Sequence, residues 1–87
     1  MSTYGKYRGV VQNNDDPMQL GRVQIQVPSL THDAATWALP CLPCSGPYVV
    51  PAIGASIWVE FEGGDLDNPI WSGCFWKAGE APPFEVA

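Results

Sequence analysis

Apolar and polar side chains alternate in two windows of this chain. Residues 22–27 read RVQIQV, which sets Val23, Ile25 and Val27 on one face and Arg22, Gln24 and Gln26 on the other. Residues 56–62 read SIWVEFE, which sets Ile57, Val59 and Phe61 against Trp58, Glu60 and Glu62. A period of two belongs to a β-strand with one buried and one wet face. Three less regular windows extend the set. Residues 7–12 (YRGVVQ) form a first strand, with Gly9 as a bulge or kink inside it. Residues 36–42 (TWALPCL) form a third, weakened by Pro40, which has no N–H to give to a ladder. Residues 70–76 (IWSGCFW) form a fifth, with Gly73 where a neighbouring backbone or side chain comes close. Both faces of that strand are apolar, Trp71 and Phe75 on one and Ile70, Cys74 and Trp76 on the other, which predicts cover on both sides.

No window holds the helical period of about 3.6 residues. The connections carry turn chemistry instead. Asp16-Pro17 suits turn initiation. Gly21, just before Arg22, suits a turn position of positive φ. Gly63-Gly64 suits a reversal between two strands. Five short strands without helices predict an all-β fold. The expected architecture is a small five-stranded OB-like Greek-key barrel over residues 1–76, followed by an extended C-terminal tail over 77–87. Closing the barrel removes the free edges on which strands aggregate.

Composition narrows what such a barrel does. A chain of 87 residues is one domain, and it buries only about 60–65% of its unfolded surface, so a partner subunit is a natural source of further stability. The net charge is −5, and the cations are Lys6, Arg8, Arg22 and Lys77. That excludes the basic footprint of a nucleic-acid binder and of a segment drawn to anionic membranes. No apolar run approaches the roughly 18 residues of a membrane span, so no stable membrane insertion is expected. The start, MSTYGKYRG, lacks the apolar middle of a signal peptide, which predicts folding in a cytoplasm. An odd count of three Cys argues against a secreted disulfide framework.

The ordered strings GVVQNNDDPMQLGRVQIQVP, TWALPCLPCSG and PAIGASIWVEFEGGDLDNPIWSG resemble the OB domain of contractile-tail spike proteins. That family includes phage baseplate hub-spike proteins and the valine–glycine-repeat spike proteins of type VI secretion. Its pattern is met here by Gly9, Val11, Asp16, Pro17, Gly21, Arg22, Val23, Ile25, Val27, Pro28, Trp37 and Ala38. It continues through Pro51, Gly54, Val59, Phe61, Gly64, Asp65, Pro69 and Gly73. No single motif is specific; the order and spacing carry the likeness, over about residues 8–76. The resemblance implies a homotrimer around a tail axis, seated in a virion baseplate assembled in the host cytoplasm. It implies two partners, a baseplate hub protein and a separate spike, needle or tip protein. Family spikes usually continue into a β-helical needle, and some carry a lysozyme domain. This chain stops at Ala87, so the needle is expected to be a separate polypeptide, or this barrel an accessory plug of the hub.

Candidate chemistry is sparse. Cys41 and Cys44 stand three apart with no helix N-terminus to lower a thiol pKa, and in extended chain such side chains face opposite ways. Free thiols are the expectation. The alternatives are a disulfide involving Cys74, and a metal site recruiting Cys74 and His32 without a second CxxC. Glu60 and Glu62 read as one solvated strand face, and Asp65, Asp67 and Asn68 as a turn rather than a calcium loop. With no nucleophile elbow, HExxH or phosphate-binding glycine loop, no enzyme activity, cofactor or metal is expected. The aromatics are more telling. Trp58 is set to point outward if Ile57, Val59 and Phe61 fill the barrel. Candidate protein–protein contacts are therefore Trp58, Glu60, Trp71, Trp76 and Phe84, while Pro17, Gly21, Gly64 and Gly73 define the turns and the fold. Two functions compete: a structural baseplate module that trimerises and docks, and a single-stranded nucleic-acid-binding OB protein. The second has aromatics to stack on bases but lacks the cations for phosphate.

Overall fold

In the computed structural model, which describes residues 3–30, 36–44 and 48–81, all five expected strands are present. They are β1 (Tyr7–Asn13), β2 (Val23–Gln26), β3 (Trp37–Pro40), β4 (Ser56–Phe61) and β5 (Pro69–Cys74). They close a barrel in the order β1-β2-β3-β5-β4, with β4 pairing back onto β1. Every pair is antiparallel except β3 with β5, which runs parallel. This is the five-stranded OB arrangement. Among the described residues the only helical pieces are 3-10 turns at Pro28–Leu30 and Glu62–Gly64.

The alternation in the sequence becomes the inside and outside of the barrel. Val23, Ile25 and Val27 are buried, as are Ile57, Val59 and Phe61, and Val11, Ala38 and Trp71 complete the core. Burying each aliphatic side chain of this size contributes about 1.5–3 kcal/mol. Strand limits move slightly for local reasons. β2 begins at Val23 because the Arg22 N–H is taken by the Asp16 carboxylate. β4 ends at Phe61 because Glu62 enters a turn, so Glu62 leaves the strand face that Glu60 keeps.

Two glycines exchange the roles expected of them. Gly9 is not a bulge; it pairs with Ile57 in a regular ladder, and a Cβ there would lie 2.7 Å from Val59 Cγ2 and 3.3 Å from the Gln26 carbonyl. The close approach belongs here. The β1 bulge falls instead between Val11 and Asn13, where Gln12 is the extra residue against β2. Gly73 is the converse: nothing crowds it, but its φ is +119° and it lies in a bulge. The stretch of β5 from Trp71 to Cys74 is matched by the shorter stretch of β4 from Val59 to Ile57, so that β5 carries one residue more. One extra residue reverses the side-chain parity beyond it. Trp71 thus faces the core, whereas Phe75, expected on the same face, lies outside against Trp58.

Strand directions sort the connections into two ends. Among the described residues, one end holds 14–22, 41–44, 48–55 and 75–81. The other holds residues 3–6 and the turn 62–68, tied together by Thr3 N–H donating to the Gly64 carbonyl at 2.9 Å.

Candidate interaction surfaces

The β1–β2 turn is organised by one carboxylate. Asp16 accepts hydrogen bonds from the N–H groups of Met18 and Leu20 at 2.9 Å each and of Arg22 at 3.2 Å. It also receives the Arg22 guanidinium at both oxygens, Nε at 3.0 Å and Nη2 at 2.8 Å. The Asp16 side chain is 3% exposed and that of Arg22 17%. The guanidinium foremost, and then the backbone donors, hold the Asp16 carboxyl well below the usual carboxylate range against the opposing effect of burial. Arg22 also lies over the Trp37 ring at 5.3 Å, and the Trp71 indole donates to the Gly21 carbonyl at 3.0 Å. Gly21 and Gly64, with φ of +76° and +78°, sit at turn positions suited to glycine. Pro17 is exposed in the same Asp16-centred turn.

Nothing in the sequence patterns singles out this pair, because a six-residue separation across a turn belongs to neither strand nor helix periodicity. A bidentate ion pair with two aromatic neighbours fixes a conformation and leaves no lone pair or cation free for chemistry. Of the four cations, therefore, Arg22 is used internally, while Lys6, Arg8 and Lys77 are exposed.

The expected contact residues are scattered. Trp58 does face outward, and it is half-buried by its own chain: Phe75 stacks on it at 4.7 Å, and the Arg8 guanidinium lies 5.6 Å from its centroid. Glu60 lies on the same outer face, half-buried, and Trp76 is exposed just beyond β5. Trp71 is 2% exposed and packs in the core, so it is a core residue and not a surface contact of this fold. Phe84 lies outside the described residues, as does His32.

Around the barrel, the outer faces differ. The β1–β2 side carries neutral amides paired to each other, Gln12 with Gln26 at 3.1 Å and Asn13 with Gln24 at 3.2 Å. The opposite side, β3, β5 and β4, presents Leu39, Ile70, Trp58 and the segment reaching Phe75 and Trp76.

Among the described residues, the largest exposed apolar set lies elsewhere, at the barrel end formed by 14–22, 41–44 and 48–55. Met18, Leu20, Tyr48, Val49, Val50 and Ile53 are all exposed there, with Val49 at 88%. The connection is pinned from beneath by Asn14 Nδ2 donating to the Pro51 carbonyl at 3.1 Å and by Gly54 N–H donating to the Val11 carbonyl at 2.8 Å. An open cleft of about 490 Å³ separates it from the turn, lined by Leu20, Pro40, Leu42, Cys44, Tyr48 and Val49 among others. The unbroken apolar run Tyr48-Val49-Val50 was the available signal for this surface.

The remaining candidates are structural. Cys41 and Cys44 are exposed free thiols, and Cys74 is a half-buried free thiol whose pKa burial pushes up. Asp65 builds a turn, accepting from Asp67 N–H at 3.0 Å and from Asn68 Nδ2 at 2.8 Å. No cluster of three or more His, Cys, Asp or Glu side chains that could hold a metal ion occurs among the described residues. No helix among them is long and apolar enough to cross a membrane.

A family model for the type VI secretion system/phage-baseplate injector OB domain matches residues 7–76, and the chain belongs to that family. No curated protein matches it.

Proposed function

We propose that this injector OB domain is a structural module of a contractile-tail baseplate, acting by trimerisation and docking rather than by catalysis. The observation that carries the reading is the coincidence of the family match, residues 7–76, with a closed barrel that leaves large apolar side chains exposed at one end. The barrel links a hub ring to a separate needle or tip protein, within a virion tail or a related injection machine. Assembly takes place in the host cytoplasm. Residues 1–76 form the OB module, and the tail 77–87, with Phe84, adds a docking segment. Trp58, Glu60 and Trp76 contact neighbouring baseplate subunits.

The charge supports this reading over nucleic-acid binding. Three exposed cations on a −5 chain do not make a phosphate-tracking groove. Two measurements test it together. Purified contractile particles are expected to contain the chain at the baseplate, located by labelling and electron microscopy. Filter binding at low salt is expected to retain no single-stranded DNA or RNA. Tight single-strand binding, or absence from the particle, overturns the reading.

A further inference from the structure

Both arginines of this chain lie against tryptophan rings, and one of them is already used. Arg22 sits 5.3 Å from the Trp37 centroid and gives its Nε and Nη2 to the two oxygens of Asp16. Arg8 sits 5.6 Å from the Trp58 centroid and 5.1 Å from that of Phe75. Among the described residues no acceptor takes a hydrogen bond or an ion pair from the Arg8 guanidinium. A ring covers the flat face of a guanidinium and leaves its N–H edge free to donate. At Arg22 this protein fills that edge with a carboxylate.

The surroundings of Arg8 favour the same ligand. Arg8 is in register with Trp58, and Phe75 N–H donates to the Ser56 carbonyl at 3.1 Å, so β1, β4 and the end of β5 bring the cation and both rings onto one outer face. The other described charge on that face is Glu60, with Lys6 exposed just ahead of β1. One ring-held cation with an anion two residues along is no track for successive phosphates. It suits a single carboxylate with uncharged neighbours. The rings keep water from the contact, which strengthens a charge-assisted pair, and a cation already held loses less freedom on binding. Phe75 also lines, with Cys74, Trp76, Lys77 and Glu80 among others, a hollow of about 310 Å³. An apolar side chain next to the carboxylate finds a seat there.

We propose that the Arg8–Trp58–Phe75 face is the docking site for one carboxylate of a partner protein, carried on an extended segment beside an apolar side chain. It rests on the docking reading above and names the group the partner presents.

The probe is a displayed library of short random peptides, selected on the immobilised full chain. Selected peptides are expected to carry one Asp or Glu next to an apolar residue. Titrated with the best of them as a synthetic peptide, Arg8→Gln is expected to bind about tenfold more weakly or worse. Arg8→Lys, which keeps the charge and loses the planar fork, is expected to fall between the two. Lys77→Gln is expected to bind as the wild type does, and the thermal midpoints of all three variants to stay within a few degrees of it. Selection of no binder, of binders without an acid, or of acids that survive Arg8→Gln and are lost in Lys77→Gln overturns the assignment. So does an Arg8-dependent affinity for oligo-dT above that for the best peptide, which makes the site a phosphate reader. The first three outcomes leave the baseplate reading standing, because the place of the chain in purified particles is measured separately; absence from the particle overturns that reading whatever the peptides do.

Discussion

Two connections lie side by side at one end of the barrel and solve opposite problems. In residues 14–22 a single buried carboxylate gathers three backbone donors and a guanidinium. Its polar groups are satisfied within the turn itself. Residues 41–44 and 48–55 are held by a few backbone and amide hydrogen bonds and leave Tyr48, Val49 and Ile53 in solvent. The first segment specifies the fold, and the second has apolar surface to spare for assembly. Substitutions in the first should therefore cost stability, and substitutions in the second should cost association.

The largest effect is expected from Asp16→Asn, which removes the charge that pairs with Arg22 and puts an NH2 group, facing other donors, where one accepting oxygen stood. Its thermal midpoint should fall further than that of any other variant considered. Acid offers a second view of the same group. Because the folded-state pKa of Asp16 is depressed from its ordinary 3.8, the unfolded chain binds the proton first as pH falls. The contribution is complete above about pH 4 and shrinks as pH drops below it. Urea titrations between pH 3 and 6 should show that slope in the wild type and a flatter one in Asp16→Asn.

Next comes Gly9→Ala, in the core and away from both connections. With Val59 Cγ2 at 2.7 Å from the added Cβ, overpacking should cost about 1–3 kcal/mol by denaturant unfolding. Trp71→Phe follows, removing the donor to the Gly21 carbonyl and so loosening the first connection from the core. The expected loss is about 1 kcal/mol. The smallest stability effect belongs to Val49→Glu. An exposed substitution of this kind should stay within about 0.5 kcal/mol. A Val49→Glu loss as large as that of Gly9→Ala would erase the distinction between the two connections.

The strands were legible because alternation is a local signal. The windows RVQIQV and SIWVEF place their alternate residues inward, as the pattern requires. What remained hidden is non-local. A one-residue bulge at Ser72–Gly73 does not alter the alternation itself, yet it sends Trp71 inward and Phe75 outward. The sequence alone therefore put Trp71 among the surface aromatics. Gly9 and Gly73 each stood out as glycines inside strands, but which one needed space and which one needed positive φ depended on the partner strand. The Asp16–Arg22 pair required the turn to be built before its two members could meet. The apolar run at 48–50 was visible throughout; its exposure was not, because a hydrophobic triplet between prolines is as easily a core segment as a surface strap.

The most direct test is the native mass of the wild-type chain and of Val49→Glu at micromolar concentration, read by sedimentation. The expected result is a particle three times the 9.4 kDa chain for the wild type, and a single folded chain for the variant. A wild type that sediments as one stable 9.4 kDa subunit at every concentration, with Val49 and its neighbours left in water, would contradict the account.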